Sequence, residues 1–390
     1  MSEIEELPVD IPLDILEKVI SHINLLDLNK LAATSKYVLN VIKSQINTFK
    51  LDREVFYSDE IITSFQMNGQ YLFICRQDKD TLFLDKVQII DIKIGIEIDC
   101  LDSPYTYSIN TIPNNDYILS SNHIKVNLWK YDTGQRKFIN NFLFTNPVNN
   151  SEITTQNISR DGSLIAIAIV MPNPTNQVVI YEVENNNNVP KKRFLVNNID
   201  IIYRIHFVQR DNKKYLVCAG LDYIDLYDYE EISDHNDNNI EIQNVTRKAV
   251  KIYHDKNSNK SDEKLIRAIA VNDNYIAYCL FDYTVNIYDF TNLNNIVNSF
   301  IIDKFDYSRY RLFQYPFIIT DDNMLIIGGD SITIRQGPNF EDVVKEIKIK
   351  SEYLAYNKET SIIATMCNGD RVVRFINLAN ISRMEKMHHG

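Results

Sequence analysis

The sequence predicts a mainly β fold, a seven-bladed β-propeller that follows a small module of three helices. From about residue 60 onward, apolar side chains alternate with a period of two, which is the pattern of strands. Pairs of such strands recur at intervals of about 40–50 residues, a period typical of propeller blades. Before residue 48 the apolar side chains instead recur every three to four residues, as on one face of a helix.

Seven hairpins are predicted, each an apolar strand, a short turn and an alternating strand. In chain order the pairs are Tyr71–Arg76 with Thr81–Val87, Tyr117–Ser121 with Ile124–Tyr131, Leu164–Val170 with Gln177–Glu182, Tyr215–Ala219 with Tyr223–Tyr229, Tyr275–Leu280 with Thr284–Phe290, Met324–Gly328 with Ser331–Arg335, and Ile362–Met366 with Arg371–Asn377. With Asp85, Asp132, Glu182, Asp228, Asp289, Arg335 and Ile376 taken as equivalent, the steps are 47, 50, 46, 61, 46 and 41 residues. The long step indicates an insertion.

The remaining strands of the blades are predicted from the flanking segments. Inner strands are expected at Ile205–Val208, Ile266–Val271 and Tyr353–Tyr356, and outer strands at Phe138–Phe144, Arg193–Val196 and Ile296–Ile302. The insertion is assigned to residues 230–263, which are rich in Asn, Asp, Ser and Lys and contain a further outer strand, Ala249–Tyr253. Residues 51–57 are expected to close the ring by adding the outermost strand of the last blade, with 381–386 as the alternative.

The helical module is predicted to span residues 1–48, with the propeller over 49–390. Its first helix, residues 13–25, carries one apolar stripe and begins after Pro12, a residue tolerated at a helix start. Asp27 is a suitable N-cap for a second helix, and Ser35 for a third. Three helices this short cannot bury all their apolar faces internally. A partner protein or the propeller must therefore cover part of this surface.

Residues 11–42 resemble the F-box. The resemblance is carried by Ile11-Pro12, an acidic Asp14, the aliphatic pair Ile15-Leu16, the Asp27-Leu28 step and the Ser35-Lys36 corner. It implies binding to a Skp-type adaptor and, through the adaptor, to a cullin. The side chains expected to contact the adaptor are Pro12, Ile15, Leu16, Val19, Ile20, Leu28 and Leu31.

The blades resemble degenerate WD repeats. Residues 126–135 (VNLWKYDTGQ) place Trp and Asp near the end of a third strand, and residues 224–230 and 285–291 repeat this theme with Tyr-Asp. Residues 159–168 (SRDGSLIAIA) contain the Ser-x-Asp-Gly turn that precedes a second strand. The resemblance implies that a substrate protein binds the rim around the propeller axis. Arg204, Arg267 and Arg311 lie near inner strands and are candidate contacts for phosphate or acidic groups, the alternative being ordinary surface arginines.

Composition excludes several classes of function. A net charge of −11 does not favour nucleic-acid binding, which needs a basic surface. The longest apolar run, Leu164 to Met171, is too short to span a bilayer, and the acidic N-terminus is not a secretory signal. Five scattered cysteines without CxxC spacing do not favour a disulfide framework or a zinc site, and they indicate the cytoplasm or the nucleus.

No motif for catalysis is present. The seven histidines lack HExxH spacing, the Gly328-Gly329 pair lacks the Lys-Ser/Thr of a phosphate loop, and GxSxG is absent. Cys75, Cys218, Cys279 and Cys367 fall at the same place, the end of a second strand, where Ser121, Ala168 and Gly328 stand in the other blades. Small residues there suit strands that converge near an axis, and buried cysteine behaves as a small hydrophobe. No metal or cofactor is therefore expected.

These observations favour a non-catalytic substrate-recognition subunit of a cullin–RING (SCF-type) ubiquitin ligase. In this hypothesis the F-box binds the adaptor and the propeller binds a substrate protein, with no nucleic-acid or membrane partner. The alternative is a propeller scaffold for protein–protein interaction whose helices only cap the domain, without a link to ubiquitin. A third hypothesis, a hydrolase with an axial site, predicts an axial pocket with convergent carboxylates or histidines and shifted pKa values.

Overall fold

The structure, a computed structural model, describes most of the predicted propeller. The described residues are 48–50, 60–78, 87–92, 96–101, 106, 108–111, 117–132, 137–146, 151–172, 176–183, 191–198, 201–210, 213–228, 243–244, 250–254, 265–290, 296–303, 316–367 and 372–378. They form seven antiparallel sheets, which are the blades of a propeller. The predicted seven-bladed fold is thus confirmed, whereas the predicted helices lie outside the described residues.

The strands are assigned to blades in chain order. Strand β1 (Thr48–Lys50) precedes blade 1, which contains β2 (Glu60–Asn68), β3 (Tyr71–Asp78), β4 (Val87–Asp91) and β5 (Ile96–Leu101). Blade 2 contains β6 (Ser108–Thr111), β7 (Tyr117–Ser121), β8 (Lys125–Asp132) and β9 (Lys137–Thr145). Blade 3 contains β10 (Glu152–Ile158), β11 (Leu164–Val170), β12 (Asn176–Glu182), β13 (Lys191–Asn198) and, from the later insertion, β17 (Gln243–Asn244).

The other four blades follow the same plan. Blade 4 contains β14 (Arg204–Arg210), β15 (Lys213–Ala219), β16 (Tyr223–Asp228) and β18 (Val250–His254). Blade 5 contains β19 (Ile266–Val271), β20 (Tyr275–Leu280), β21 (Thr284–Asp289) and β22 (Ile296–Ile301). Blade 6 contains β23 (Phe317–Ile319), β24 (Met324–Ile327), β25 (Ile332–Gln336) and β26 (Val343–Ile347). Blade 7 contains β27 (Tyr353–Asn357), β28 (Ile362–Met366) and β29 (Val372–Asn377), and β1 completes it.

The core is divided among the contacts between neighbouring blades. Seven clusters of buried apolar side chains each join two blades that follow one another around the ring. The cluster that joins blades 7 and 1 contains Tyr353 and Val373 from one blade and Leu72 and Ile90 from the other. The ring is therefore closed by packing as well as by strand pairing. Opposite faces of each sheet pack on two different neighbours, so a central strand such as β11 has six consecutive buried residues.

Six of the seven predicted hairpins are confirmed, and the second strand of the first is wrong. Residues 81–87 were expected to pair with Tyr71–Arg76, but the partner is β4, in which Tyr71 lies opposite Asp91 and Cys75 opposite Val87. Two short apolar segments follow β3 in the sequence, and the second, β4, supplies four consecutive buried side chains, Val87 to Ile90. Strand alternation alone does not distinguish them, because both fit one face of a sheet. Asp91 lies opposite Tyr71 as Asp289 lies opposite Tyr275, so Asp91 and not Asp85 is the blade 1 equivalent of Asp289.

The ring is closed by the N-terminal segment, slightly earlier than predicted. Strand β1 pairs antiparallel with β29, with Thr48 opposite Arg374 and Lys50 opposite Val372. The predicted closing segment, residues 51–57, and its alternative, 381–386, both lie outside the described residues. The assignment of closure to residues 51–57 is corrected to 48–50.

The insertion contributes to two blades. Its predicted outer strand, 249–253, is observed as β18, which pairs with β16 of blade 4. Before reaching β18 the chain forms β17, which pairs parallel with β13 of blade 3 through Phe194–Gln243 and Leu195–Asn244. The extra strand was not predicted, because a two-residue polar segment carries no periodicity. It gives blade 3 five strands, whereas each of the other blades has four.

Two local features of the WD resemblance are present. The indole Nε1 of Trp129 donates a buried hydrogen bond of 2.8 Å to Oγ of Ser120 on the neighbouring strand. In the turn after β10, Oδ1 of Asp161 accepts hydrogen bonds from Oγ of Ser159 and from N of Ser163, and Gly162 has φ of +75°. Glycine adopts a positive φ at less cost than other residues do, because it has no Cβ atom. The Ser-x-Asp-Gly segment thus folds as the sequence predicts.

Candidate functional site

The propeller has two faces that differ in which turns they carry. The upper face carries the turns between the second and third strands of each blade, such as residues 122–124, 220–222 and 281–283, and the connections into each innermost strand. The lower face carries the turns between the first and second strands, such as residues 159–163, 272–274 and 320–323. Since loops around a rigid scaffold are where propellers bind partners, both faces are candidate sites.

An axial channel runs between the innermost strands of the seven blades. Its volume is about 400 Å³, and its walls come from β2, β6, β10, β14, β19, β23 and β27. Polar side chains that line it include Ser64, Asn110, Gln156, Arg204 and His206. Among its described lining residues none is Asp or Glu. The channel therefore lacks the carboxylates that the hydrolase hypothesis requires, although it contains one histidine.

Gln156 joins the walls of blades 2 and 3. This buried side chain accepts a hydrogen bond of 2.7 Å from Nδ2 of Asn110 at its Oε1 atom. Its Nε2 atom donates to the carbonyl oxygens of Ser108 at 3.2 Å and Leu119 at 3.4 Å. These bonds satisfy a buried amide on both sides and hold two inner strands together, so Gln156 has a structural role.

His206 is a titratable group in the wall of the channel. Its ring lies beside the channel, but its Nε2 atom is buried without a hydrogen-bond partner in the structure. Burial lowers the pKa of His206 to about 4, and the positive charge of Arg204 acts in the same direction. The imidazole is therefore neutral at pH 7.

Ion pairs cross the lower end of the channel. Arg160, in the turn after β10, contacts Asp273 of blade 5 at 3.1 Å and Asp321 of blade 6 at 2.8 Å. Lys358 of blade 7 lies 4.0 Å from the same Asp321 carboxylate. Because blades 3 and 6 stand on opposite sides of the ring, the Arg160 side chain has to reach across the axis. These ion pairs restrict access to the channel from the lower end.

Two of the three arginines predicted to contact substrate lie at the upper face. Arg204 begins β14, and its Nη1 atom donates to the carbonyl oxygen of Tyr203 at 3.1 Å. Arg267 is the second residue of β19, and its guanidinium lies 4.9 Å from the ring centre of Tyr283 and 5.5 Å from that of Phe281. Both belong to innermost strands of adjacent blades, as predicted. Arg311 lies outside the described residues.

Tyr283 has an unusual backbone conformation. Its φ is +70°, in the left-handed region that bulky residues rarely adopt. The turn is held by a hydrogen bond from N of Tyr283 to O of Leu280 and by one from N of Thr284 to Oδ1 of Asp282. This conformation brings the Tyr283 ring against Arg267. The sequence identified Arg267 but not Phe281 or Tyr283, because a cation–π contact between separate strands leaves no spacing signal.

The four cysteines at equivalent positions do not form a reactive site. Cys75, Cys218 and Cys279 are buried, and Cys367 is partly buried. Burial raises the pKa of Cys279 to about 12 and raises the pKa of Cys218 as well, so both thiols stay protonated at neutral pH. Within the described part of the chain, no three His, Cys, Asp or Glu side chains are grouped so as to hold a metal ion.

The chain enters the propeller from the lower side. The turn that leads into β29 lies on the upper face, so β29 runs from the upper face to the lower. Because β1 is antiparallel to β29, it runs upward, and Thr48 is its lower end. The segment before residue 48 therefore joins the outer edge of blade 7 at the lower face. The upper face, with Arg204 and Arg267, is on the opposite side.

The N-terminal segment of the chain matches a known domain family. Residues 9–50 match the F-box domain family. The chain carries an F-box domain joined to a seven-bladed β-propeller. The last three residues of the F-box match, 48–50, are the closing strand β1. No curated protein matches the chain.

The propeller resembles WD40 propellers in solved structures. The β-propeller domain of Myceliophteria thermophila Cps50 (Swd1) is 12% identical, with a TM-score of 0.52, and the match covers 81% of this chain and 97% of that one. U3-55K is 11% identical with a TM-score of 0.59, covering 86% and 99%. The WD40 repeats of RRP9 are 11% identical with a TM-score of 0.58, covering 85% and 98%. At this identity the likeness concerns the fold.

The F-box residues expected to bind an adaptor are not part of the described structure. Pro12, Ile15, Leu16, Val19, Ile20, Leu28 and Leu31 all lie outside the described residues, so their assignment remains a prediction. Among the described residues, none belongs to a helix with the length and apolar character needed to cross a bilayer.

Proposed function

We propose that this chain is the non-catalytic substrate-recognition subunit of a cullin–RING (SCF-type) ubiquitin ligase, acting in the cytoplasm or the nucleus. Its F-box domain binds a Skp-type adaptor and, through it, a cullin. Its propeller holds a substrate protein for ubiquitin transfer by other subunits. The observation that carries this proposal is the F-box match at residues 9–50, whose last residues are the strand that closes the propeller.

The geometry supports a division of labour between the two faces. The F-box segment joins the propeller at the lower face, and the lower end of the channel is crossed by the Arg160 ion pairs. The upper face presents Arg267, held against Phe281 and Tyr283, beside the upper end of the channel. A substrate bound there does not compete with the adaptor for space. The alternative, a propeller scaffold without a link to ubiquitin, predicts no adaptor binding.

Adaptor capture is expected to fall at least tenfold when Leu16→Asp and Leu28→Asp are combined. Each substitution places a carboxylate in a surface that the adaptor would bury, and burying an unpaired charge costs several kcal/mol. The measurement is recovery of a Skp-type adaptor and cullin with the full chain. Ser21→Asp plus Lys30→Asp introduces the same groups outside the predicted apolar positions and should leave capture unchanged. If the wild-type chain captured no adaptor, the scaffold alternative would replace the proposal.

Substrate capture is expected to fall several-fold in Arg204→Glu plus Arg267→Glu, with adaptor capture unchanged. The reason is that acidic or phosphorylated groups of a substrate would meet carboxylates in place of guanidinium groups. The measurement is the set of proteins recovered with the chain while the proteasome is inhibited, quantified by mass spectrometry. Lys348→Glu, on the perimeter of blade 6, serves as the control for an added charge. An unchanged set of proteins would mean that Arg204 and Arg267 are ordinary surface arginines.

A further inference from the structure

The outer strand of blade 5 differs from the fourth strands of the other blades because it contains no charged residue. In the described structure the fourth strand, counted from the axis, is the outermost strand of every blade except blade 3, where β17 lies outside β13. An outermost strand presents unpaired backbone groups at its edge, and proteins protect such edges with charged side chains. In the described structure six of the seven fourth strands contain Lys, Arg, Asp or Glu: β1, β5, β9, β13, β18 and β26. Strand β22 of blade 5, Ile296–Ile301 (IVNSFI), contains none.

The β22 edge is also apolar and exposed. The exposed fractions of Ile296, Val297 and Ile301 are 47%, 37% and 75%. Within the described residues β22 hydrogen-bonds to one strand, β21, and it is the last strand of its sheet. Its backbone is therefore open to pairing on the other side. Three large aliphatic side chains on six residues of open edge indicate a protein-binding surface.

Blade 6 covers one side of β22 and leaves the other side to solvent. The Phe300 ring lies 3.9 Å from the guanidinium of Arg335, and Nδ2 of Asn298 donates to the carbonyl oxygen of Asn339 at 2.9 Å. These even-numbered residues face blade 6. Because side chains alternate along a strand, Ser299 and Ile301 point away from it, and Val297, at a β-bulge opposite Tyr288, is exposed as well. The unprotected edge and the outward row of side chains belong to one continuous surface.

The outward side chains of β22 have the same order, apolar–small–apolar, in both directions along the strand. In an antiparallel pair of β22 strands related by a two-fold axis at Ser299, Ser299 lies opposite Ser299 and Ile301 lies opposite Val297, the extra residue of the β-bulge in β22. On the other side of the sheet Asn298 lies opposite Phe300. Apolar side chains thus meet apolar side chains twice, the residue on the axis is small, and no charges of like sign are opposed.

We propose that a second copy of this chain binds this edge, so that two blade 5 sheets pair antiparallel through β22 about Ser299. The arrangement is isologous and closes at two copies. It joins two four-stranded sheets into one sheet of eight. Since antiparallel pairing reverses the strand direction, the upper faces of the two propellers point in opposite directions. Each copy keeps its own upper face and its own F-box attachment, and the proposal does not depend on the ubiquitin-ligase function.

A cysteine at the axis tests both the dimer and its register. In a background of Cys100→Ser plus Cys367→Ser, Ser299→Cys places two thiols on directly opposed residues, whose Cα atoms in antiparallel pairs are about 4.5–5.5 Å apart, within disulfide reach. Mild oxidation of the full chain should then give a covalent dimer. Ile301→Cys, in the same background, is the control. In the proposed dimer the two thiols introduced by Ile301→Cys would lie about 13 Å apart along the strands, too far apart to form a disulfide.

Charge at the axis provides the second test. Sedimentation of the full chain should show a dimer whose fraction rises with concentration, and Ser299→Lys should make the chain monomeric by opposing two ammonium groups. Ser299 is exposed, so this substitution should leave the circular dichroism and the melting temperature unchanged. A chain that is monomeric at about 100 μM, in the range where weak interfaces associate, would overturn the proposal. A dimer that persists in Ser299→Lys, or that cross-links equally through Ile301→Cys, would do the same.

Discussion

Removing residues 1–50 is expected to open blade 7, whereas removing residues 1–47 should leave it closed. The two deletions differ by the three residues of β1, which supply the outermost strand of blade 7 and pair with β29. Without them β29 becomes an edge strand. The pairing that joins the first strand of the ring to the last is then lost. Both deletions remove nearly all of the F-box match, so both should lose adaptor capture.

The loss of stability should be large and confined mainly to blade 7. Backbone hydrogen bonds of β29 that are lost or exposed to solvent each contribute about 1 kcal/mol to stability. Amide hydrogen exchange in β28 and β29 should therefore accelerate more than tenfold in the chain that begins after residue 50, which corresponds to at least about 1.4 kcal/mol of local stability. Exchange in blades 3 and 4, on the far side of the ring, should change much less.

The chain that begins at Thr48 is the matched control, because it keeps β1 and should exchange at the wild-type rate in blade 7. Equal exchange in both deletions and the wild type would mean that β1 does not close the ring. In that case the alternative segment, 381–386, would become the candidate, and deletion of residues 379–390 should accelerate exchange in β29. The comparison therefore decides between the two termini as well as locating the boundary of the propeller.

Acid is expected to destabilise the wild-type propeller more than a His206→Gln variant. The pKa of His206 is lowered to about 4 in the folded chain, against an ordinary value near 6.5. Below pH 6.5 the unfolded chain takes up a proton that the folded chain does not. The contribution of His206 to stability is therefore complete above pH 6.5 and is lost as the pH falls toward 4. The full loss is about 3 kcal/mol, at about 1.4 kcal/mol for each pKa unit.

Urea unfolding at a series of pH values between 7.5 and 4 measures this difference. The two curves of unfolding free energy against pH should diverge below pH 6.5, because glutamine does not titrate. Comparing slopes removes any constant cost of the substitution itself. Parallel curves for the wild type and His206→Gln would show that the imidazole does not resist protonation in the channel.

The hairpins of blades 2 to 7 were predictable because each one is local. Apolar alternation, a turn and a second alternating strand occupy about 15–20 residues, so the pattern and the pairing coincide along the chain. In blade 1 the prediction failed because two apolar segments follow Tyr71–Cys75 and only packing selects the second, β4. Strand β17 escaped prediction since its two residues gain their pairing from β13, which precedes them by almost 50 positions.

The candidate site was predictable in part. Arg204 and Arg267 could be proposed because they begin innermost strands, and the strand pattern locates those. The cation–π contact of Arg267 with Phe281 and Tyr283, the burial of Nε2 of His206 and the ion pairs of Arg160 could not be proposed in this way. Each depends on distances between side chains of different strands or blades, which no spacing along the chain records.

The sequence by itself determined the period of the blades, their number and the F-box match, since repeats, alternation and motifs are local properties of the chain. The tertiary structure alone decided which strand closes the ring, from which side the F-box segment arrives, and which perimeter edge lacks protective charge. These depend on how the first and last blades meet and on which side of each outer strand a neighbour covers. Packing across the closed ring sets both, and it brings together residues that lie hundreds of positions apart.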